Sequence, residues 1–576
     1  MTFVTAVAAG IKSIDSLRSL SRTATGSGEA VLTQHRDLAV AWAAGCPWLA
    51  AVDDGDVLVV LDGRLHNLAS PSLDQADALR RRYRSVGAKV ATDLLGDFVM
   101  VILDRGAEML LVARDPVGVR PWYQAAAGSC HAGASDVATL AALPWVDTSV
   151  NEHIAIEYLA AVEQSRGETL YRGIRTLPPG HTWVLHHGRA RTFAHHRWEL
   201  HPELEISWED AAERCRVVLE DAVRCRVGPG AATSELSGGL DSSTVVGTLV
   251  VLGCEDLVVG RMVFDGPRAD ERAYSEAAIE RWGLRAVSTP PWVPTEEENQ
   301  ELGVRLRRPC PDANFTMFTG LHRALLDAGR TDGLTGLGGD DAFVAYGVGP
   351  RVMSAIKLRQ SHLLHDMARR AVRDPVRAWS EVVRPTLGHL VAPWRRKRLP
   401  TWVTPTATRR ADLRRVLGRR PVPVTGIDAI DERLATLTSG YLASILETRA
   451  LVGDWAGRRD SHPFLDPRFV HATYGLDPSW PTRGGHYRAL QVEAFADRLP
   501  PAVARRLSKA DFSEVFWPQV LNDRTLAGVR GGPLHALGWL DQDGFDALVT
   551  NAKKGMANAA IPLFRCVALD HWVGAQ

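Results

Sequence analysis

The pattern of apolar and polar residues changes character near residue 200. Before that point, short apolar runs end in turn residues: residues 57–61 precede an Asp-Gly pair, and the runs 98–103 and 109–113 flank Asp-Arg-Gly. Such runs are typical of strands, and the second pair is typical of a hairpin. Between them, residues 72–86 carry apolar positions at the wider spacing of a helix. The first part of the chain is therefore predicted to be rich in β-sheet.

From about residue 208, helix-like and strand-like segments alternate. Helices are predicted at 209–227, 270–284, 296–307 and 315–329, with another that runs to about residue 252, and strands just before Ser237 and at 256–264, 286–289 and 333–335. Strands that alternate with helices of this length imply a parallel, doubly wound sheet. Ligands of such sheets bind beyond the carboxyl ends of the strands. The loops that follow the strands are therefore the places to look for chemistry.

The first such loop is the Ser-Gly-Gly-Leu-Asp-Ser-Ser string at residues 237–243. Glycines let the backbone approach an anion, successive N–H groups and a helix N-terminus attract it, and hydroxyls add donors. We therefore predict that ATP or pyrophosphate is bound by Leu236, Ser237, Gly238, Gly239, Leu240, Asp241, Ser242 and Ser243. A carboxylate inside an anion site needs a cation between them, so Asp241 is predicted to bind a phosphate-bound Mg²⁺. For a Ser-Gly-Gly turn alone, the alternative is a plain strand-to-helix corner.

A second glycine-rich loop follows the last predicted strand. It reads Gly-Leu-Gly-Gly-Asp-Asp at residues 336–341. Across the ends of the strands, Asp340 can meet Asp241 and hold Mg²⁺ between ATP phosphates. A solvated turn is the alternative for such a string by residue type.

Composition narrows the class of protein. The 576 residues are 45% hydrophobic and 23% charged, which is ordinary for a globular protein. The 67 basic and 67 acidic residues cancel, so no global charge points to nucleic acid or a membrane. Seven cysteines without Cys-x-x-Cys spacing argue against a zinc site or a disulfide framework. With no signal peptide or apolar span in the sequence, we predict a cytoplasmic protein.

The segment at about 352–435 differs from its surroundings, because it is rich in arginine and proline with tryptophans interleaved. We predict a helical insertion whose basic face meets a peptide or protein partner. A merely solvated basic face is the alternative. Given the zero net charge, a nucleic-acid partner is not expected.

Several strings in the first part resemble the glutaminase half of the glutamine-hydrolysing asparagine synthetase family. Residues 62–67 are similar to that family's Asn-Gly-Glu-Ile-Tyr-Asn, and residues 113–123 to its Ala-Arg-Asp-Pro-Phe-Gly-Ile-Lys-Pro-Leu-Tyr. The resemblance implies a four-layer αββα sandwich at 1–195. Two departures matter: Thr2 stands where the family has its nucleophilic cysteine, and Asp62 replaces the amide donor of the oxyanion hole. An ionised carboxylate would repel an oxyanion, so this is predicted to be a degenerate glutaminase site.

The second part resembles the synthetase half of the same family, an N-type ATP pyrophosphatase fold, at 208–576. Residues 336–343 are similar to the motif Gly-Glu-Gly-Ala-Asp-Glu-Leu-Phe, which implies that Gly338 and Gly339 contact ATP and that Asp340 is the metal aspartate. Val263 and Phe264 match the place where adenine would lie. The closing Lys-x-x-Phe segment implies that Lys509 is a catalytic cation aimed at the pyrophosphate. Leu337 departs from the family, which has a glutamate there.

The resemblance implies an AMP-forming amide ligase that uses ATP and Mg²⁺. With its ammonia source disabled, the enzyme needs an amine that is already in the substrate, because intramolecular attack has a large effective molarity. Two branches fit, the β-lactam-type synthetases and the lasso peptide cyclases. The β-lactam branch is expected to carry a tyrosine where this chain has Leu337, so we favour the cyclase. That branch implies a precursor peptide substrate, a leader peptidase and a leader-binding protein. A nucleotide-binding scaffold without turnover is the alternative from another class.

Overall fold

The computed structural model describes most of the chain. The described residues are 4–9, 30–43, 46–68, 74–162, 167–227, 231–266, 268–295, 297–298, 301, 303, 306–309, 313–343, 352–354, 356, 379, 383–384, 386–387, 399–418, 424–478, 480, 488–506, 510, 515, 517 and 520–576. Thr2 and Lys509 lie outside them, as does much of the helix predicted at 296–307 and of the predicted insertion.

Two six-stranded antiparallel sheets form the N-terminal half. In chain order, their strands are β1 (Val4–Ala9), β2 (Ala30–His35), β3 (Leu38–Ala43), β4 (Leu49–Asp53), β5 (Val57–Leu65), β6 (Gly96–Asp104), β7 (Met109–Arg114), β8 (Tyr123–Ala127), β9 (Cys130–Ala134), β10 (Ile174–Thr176), β11 (His181–His186) and β12 (Arg189–Ala194). One sheet has the order β10-β8-β9-β1-β3-β2 and the other β12-β11-β7-β6-β5-β4. The accompanying helices are α1 (Gln75–Val86), α2 (Val137–Ala141) and α3 (Glu152–Leu159).

Helices cover the outer faces of both sheets. Side chains alternate along β5, so that Leu58 and Val60 pack between the sheets while Val59 and Leu61 pack under α1. On the other sheet, α2 and α3 pack over β8 and β9. Because β5 is covered on both faces, it is apolar at successive positions. The four layers confirm the predicted αββα sandwich.

A five-stranded sheet with parallel pairing organises the second half. Its strands are β13 (Ala231–Glu235), β14 (Asp256–Met262), β15 (Arg285–Thr289), β16 (Asp332–Leu334) and β17 (Arg459–Ser461). The helices among them begin with α4 (Trp208–Arg224), α5 (Leu240–Val251), α6 (Arg272–Trp282), α7 (Ala313–Asp327) and α8 (Gly339–Phe343). Residues of α5 pack on one face of the sheet and residues of α7 on the other. The doubly wound parallel sheet is confirmed.

The strand order β15-β14-β13-β16-β17 places a topological switch point between β13 and β16. From β13 the chain proceeds outward to β14 and β15, and it then returns to the other side of β13 as β16 and β17. Ser234 of β13 is paired with Leu334 of β16 at this point. Loops that leave two adjacent strands in opposite directions open a crevice at the carboxyl edge of a sheet. The two glycine-rich loops follow these two strands.

The rest of the second half is mostly helical. Its helices are α9 (Pro405–Arg410), α10 (Leu413–Gly418), α11 (Asp428–Leu437), α12 (Gly440–Ala456), α13 (Pro467–Tyr474), α14 (Ala489–Ala494), α15 (Pro501–Ala504), α16 (Asp523–Gly531), α17 (Pro533–Ala536), α18 (Gln542–Lys553) and α19 (Ala560–Gly574). None of the helices in the described part of the chain has the length and apolarity needed to cross a bilayer.

Part of the predicted insertion packs on the N-terminal half. The Trp402 indole N–H donates to the Leu159 carbonyl at 2.8 Å, and Arg410 pairs with Glu152 at 3.1 Å. Val403 and Ala407 join the core beneath α3. In the described stretch 399–418, the Trp402 indole is therefore used inside the protein, whereas the Arg410 side chain is 60% exposed. That this segment presents a basic face to a partner stays a prediction.

The chain passes from one half to the other between β12, which ends at Ala194, and α4, which begins at Trp208. As domain limits, residues 195 and 208 stay predictions. The strand predicted at 256–264 ends at Met262, so Val263 and Phe264 lie just beyond it. The helix predicted at 270–284 begins only at Arg272, where Glu271 precedes its first turn.

Candidate functional site

The loop between β13 and α5 carries the predicted phosphate-binding residues. Ser237 Oγ lies 3.1 Å from Ser242 Oγ and accepts the backbone N–H of Gly239 at 3.2 Å. Gly238 has a φ of +90°, and a Cβ there would lie 2.8 Å from the backbone nitrogen of Ser275, so this turn requires glycine. The hydroxyls stand beside the first turn of α5, where unpaired amides favour an anion.

A cavity of about 270 Å³ opens beside this loop. Of the residues predicted to bind ATP or Mg²⁺, those that line it are Leu236, Ser237, Gly239, Leu240, Asp241, Ser242, Phe264 and Asp340. The lining does not include Gly238, Ser243, Val263, Gly338 or Gly339, and Ser243 is fully buried within α5. Their roles, like that of Lys509, stay predictions.

The loop after β16 packs directly against the first loop. A Cβ on Gly336 would lie 2.6 Å from the backbone nitrogen of Ser242, and one on Gly339 would lie 2.3 Å from Asp241 Oδ1. Both distances are too short for a side chain, so glycine is needed at each position. The second loop can therefore approach closely enough to bring Asp340 beside Asp241.

Arg488 joins the two carboxylates that the sequence predicts as metal ligands. Its guanidinium contacts both Asp241 and Asp340, and the Arg488 side chain is only 4% exposed. Gln491 donates to the same Asp241 oxygen at 3.0 Å. The two carboxylates thus converge on one cationic group from neighbouring strand ends. Carboxylate oxygens arranged in this way are the donors that Mg²⁺ prefers, so these residues fit a magnesium ion.

Three further arginines line the same cavity, and two of them, Arg506 and Arg449, are held by acidic residues of other elements. Arg506 lies 2.5 Å from Glu271 and over the ring of Tyr274. Arg449 of α12 lies 2.6 Å from Glu235 and 2.9 Å from Asp460. The cavity wall therefore combines a glycine and hydroxyl loop with guanidinium groups, which suits a polyphosphate.

Glu235, His322 and Asp460 bring donor atoms within 4.8 Å of one another under the loop. Burial alone would lower the pKa of His322, but Asp460 and Glu235 outweigh it and raise that pKa. His322 Nε2 lies 3.2 Å from Asp460, which Arg449 also contacts. These carboxylates are already neutralised by side chains, so the group is a buried ion-pair network that supports the cavity wall.

Asp62, which the sequence places in a predicted degenerate glutaminase site, belongs to a buried ion cluster. It lies 3.2 Å from Arg120 and 2.6 Å from Arg459. Asp454 completes the cluster, at 2.7 Å from Arg120 and 3.1 Å from Arg459. Burial would raise the pKa of the Asp62 carboxyl, but the two guanidinium groups outweigh it and lower that pKa. An anion therefore stands where the family resemblance implies an amide donor.

This cluster crosses the boundary between the two halves. Asp62 and Arg120 belong to the sandwich, whereas Asp454 lies on α12 and Arg459 on β17. The Asp62 side chain is 1% exposed, so the ion pairs are shielded from water. Charged side chains of both halves therefore meet around Asp62.

A second cavity, of about 440 Å³, lies between the halves. Tyr158 lines it from the sandwich, Trp198 from the segment that connects the halves, and Arg308 from the second half. Glu447 of α12 also lines it, and lies 3.0 Å from Arg114 and 3.4 Å from Arg308. Two residues further along α12, Arg449 lines the first cavity. One helix is therefore a wall of both cavities.

Sequence reasoning missed Arg488, Arg506, Arg449 and the partners of Asp62. Arg506 could have been predicted as a site residue, because it stands three positions before Lys509, the predicted catalytic cation. Arg488 has no such signal, because its contact with Asp241 joins residues 247 positions apart. Leu337 lies in the second glycine-rich loop, and its side chain lines the first cavity and packs against Ile445.

Comparisons with known proteins agree with this division. The family described as Asparagine synthase matches residues 214–574, and the Glutamine amidotransferase domain matches residues 57–198. The glutamine-hydrolyzing asparagine synthetase 3 of Bacillus subtilis is 27% identical over 26% of this chain and 25% of its own length. A putative asparagine synthetase 2 of Methanocaldococcus jannaschii is 22% identical over 34% of this chain and 41% of its own.

A third relative, "Amidase chry2" of Gibberella zeae, is 23% identical over 51% of this chain and 48% of its own length. The chain thus spans about a quarter to a half of the length of these relatives. The synthase match alone covers more than half of the chain, and it includes both strand-end loops, Arg488 and the arginines of the cavity. The protein therefore belongs to the asparagine synthase family of ATP-dependent ligases, with a glutamine amidotransferase-like domain ahead of its synthase domain.

Proposed function

We propose that this protein is a lasso peptide cyclase. Its substrate is a precursor peptide, and ATP is consumed to give AMP and pyrophosphate. An Asp or Glu side-chain carboxylate of the peptide is adenylated, and the N-terminal amine of the same peptide closes a macrolactam ring. The partners implied are a leader peptidase, which frees that amine, and a leader-binding protein.

The observation that carries the proposal is the contrast between the two predicted sites. At the switch point of the sheet, Asp241 and Asp340 converge beside a hydroxyl-rich loop. At the glutaminase position, Asp62 is an ionised carboxylate held by Arg120 and Arg459. The first arrangement suits activation of a carboxylate by ATP. The second cannot stabilise an oxyanion, so ammonia from glutamine is not available as the second reactant.

Activation of the peptide carboxylate requires the protein to orient the ATP phosphates and to stabilise the negative charge of the leaving pyrophosphate. In the first step, a carboxylate oxygen of the peptide bonds to the α-phosphorus, and the bond from that phosphorus to the bridging oxygen of pyrophosphate breaks. Ser237, Ser242 and the amides at the start of α5 bind the departing pyrophosphate. Asp241 and Asp340 would hold Mg²⁺, which when bound neutralises phosphate charge. Lys509 is assigned to the same developing charge.

Ring closure follows from positioning. The amine nitrogen bonds to the acyl carbon, the bond from that carbon to the AMP oxygen breaks, and the nitrogen loses a proton. Because amine and acyl group belong to one molecule, holding the peptide in a folded arrangement supplies most of the advantage. Leu337, which lines the ATP cavity, has no proton-accepting group, so the base is a different residue from the one the β-lactam branch uses.

The space between the halves supports a substrate larger than an amino acid. The 440 Å³ cavity shares α12 with the ATP cavity, and its lining combines aromatic rings with the charged groups of Arg308 and Glu447. A peptide offers apolar, acidic and basic groups to such a wall. A small β-amino acid would leave most of this volume unfilled.

The test is pyrophosphate release from ATP with candidate acceptors, coupled to product mass. A peptide with a free N-terminus and a downstream Asp or Glu should lose one water as AMP appears. Asparagine formation from aspartate would contradict the cyclase, and absence of AMP with every acceptor would favour a nucleotide-binding scaffold. Asp241→Asn should lower turnover at least about a hundredfold. Asp341→Asn is the matched control, because Asp341 does not line the cavity and turnover should persist.

A further inference from the structure

We infer that Arg488 is a resident counter-cation, which holds Asp241 and Asp340 together before nucleotide binds and leaves them when a metal–nucleotide complex arrives. The inference rests on the proposed ATP site. It goes further by assigning a role to a residue outside the recognised motifs, and by predicting that the free protein opposes metal binding.

The carboxylates of Asp241 and Asp340 form a pair of like charges. Asp241 and Asp340 lie in the first turns of α5 and α8, which follow two loops that touch, and their side chains are 19% and 44% exposed. Two carboxylates brought together repel each other unless a cation lies between them. The buried guanidinium of Arg488 contacts both and supplies that cation. It therefore offsets this repulsion and holds the two groups in place.

Arg488 and a divalent cation would compete for the same carboxylate oxygens. Asp241 Oδ1 already accepts from Arg488 and from Gln491, the latter at 3.0 Å. A divalent cation held by this pair of carboxylates would lie within a few Å of the guanidinium, and the two positive charges would repel each other. Metal binding and the two-carboxylate contact of Arg488 are therefore mutually opposed.

Once it leaves the two carboxylates, the Arg488 guanidinium can bind phosphate. Arg488 lines the cavity that Ser237 and Ser242 also line, so its guanidinium needs to move only within that cavity to meet phosphate oxygens. Guanidinium groups bind phosphate through paired N–H donors. Phosphates thus offer Arg488 new anionic partners as the carboxylates exchange one cation for another. A metal without nucleotide offers no such replacement and should bind weakly.

The experiment measures Mn²⁺ affinity without nucleotide, by the loss of the free-ion spectroscopic signal, and pyrophosphate affinity by calorimetry. Arg488→Gln should tighten Mn²⁺ binding at least about tenfold, because a repelling charge is removed, and should weaken pyrophosphate binding. The control is Arg506→Gln, which removes a cation of the same cavity that is paired with Glu271 instead. It should change Mn²⁺ affinity less than about threefold. Unchanged or weaker Mn²⁺ binding by Arg488→Gln would overturn the inference.

A second measurement uses the wild-type protein and does not depend on the folding of a variant. In a structure with Mg²⁺ and pyrophosphate bound, the Arg488 guanidinium should contact phosphate oxygens and should no longer bridge Asp241 and Asp340. A guanidinium that still bridges both carboxylates beside the metal would refute the inference. If wild-type protein binds neither Mg-ATP nor Mg-pyrophosphate, the proposed function fails. If it binds them while Arg488→Gln leaves Mn²⁺ affinity unchanged, only this inference fails.

Discussion

Replacing Asp62 by asparagine tests whether the predicted glutaminase site acts as a structural joint, that is, an ion cluster that holds the two halves together. The substitution restores the amide that the family resemblance implies at this position, with almost no change in shape. It also removes one of the two carboxylates from the cluster with Arg120, Arg459 and Asp454. We expect a less stable protein that still fails to hydrolyse glutamine.

The magnitude follows from the charges. The cluster contains two guanidinium groups and two carboxylates, so it is neutral; Asp62→Asn leaves a net positive charge in a site where Asp62 is 1% exposed. Breaking a buried ion pair by removing one partner costs about 3 to 5 kcal/mol. Because Asp454 remains within 3.1 Å of both arginines, the lower end applies, and we expect a loss of about 3 kcal/mol.

The assay is urea denaturation followed by fluorescence and circular dichroism. Asp332→Asn is the control, because Asp332 pairs with Arg64 across the same boundary at 3.4 Å while both side chains are about half exposed. An exposed pair of this kind contributes less than about 1 kcal/mol, so the control should unfold near the wild-type midpoint. Equal midpoints for Asp62→Asn and the wild type would refute the assignment of the cluster as a structural joint.

Three further predictions concern the loops and the sandwich. Gly339→Ala should lower ATP affinity at least about tenfold in calorimetry, because its Cβ would lie 2.3 Å from Asp241 Oδ1; wild-type affinity would contradict the packing of the loops. Burial lowers the pKa of His462 to about 4, whereas the unfolded imidazole binds its proton near 6.5, so unfolding free energy should fall by up to about 3 kcal/mol from pH 6.5 to 4. His462→Gln should flatten that fall, and a wild-type slope in the variant would refute this cause. Incubation with glutamine should release no glutamate, and release above background would show a live glutaminase.

Local sequence patterns were sufficient to predict structure where a residue's neighbours in sequence are also its neighbours in space. Residues 57–61 and 98–103 are apolar at successive positions because β5 and β6 are covered on both faces, and the strands appear where predicted. The stretch 234–246 contains its own strand end, turn and helix start. Fold class could therefore be predicted from the sequence.

Contacts between distant segments could not be predicted in the same way. Arg488 reaches Asp241 across 247 residues, and nothing in its local string distinguishes it from a surface arginine. Arg459 is the partner of Asp62, although the two residues belong to different halves of the chain. The arginines of the basic segment looked alike in sequence, yet Arg410 pairs with Glu152. Charge partners depend on how the halves pack, which periodicity does not encode.

The measurement that tests the central claim most directly is mass spectrometry of a peptide acceptor incubated with protein, ATP and Mg²⁺. The peptide should carry a free N-terminal amine and a downstream Asp or Glu. We expect the peptide to lose one water and one AMP to appear per cyclised product. A peptide whose N-terminus is acetylated beforehand should keep its mass. Asparagine as the product, or a requirement for glutamine or ammonium, would contradict it.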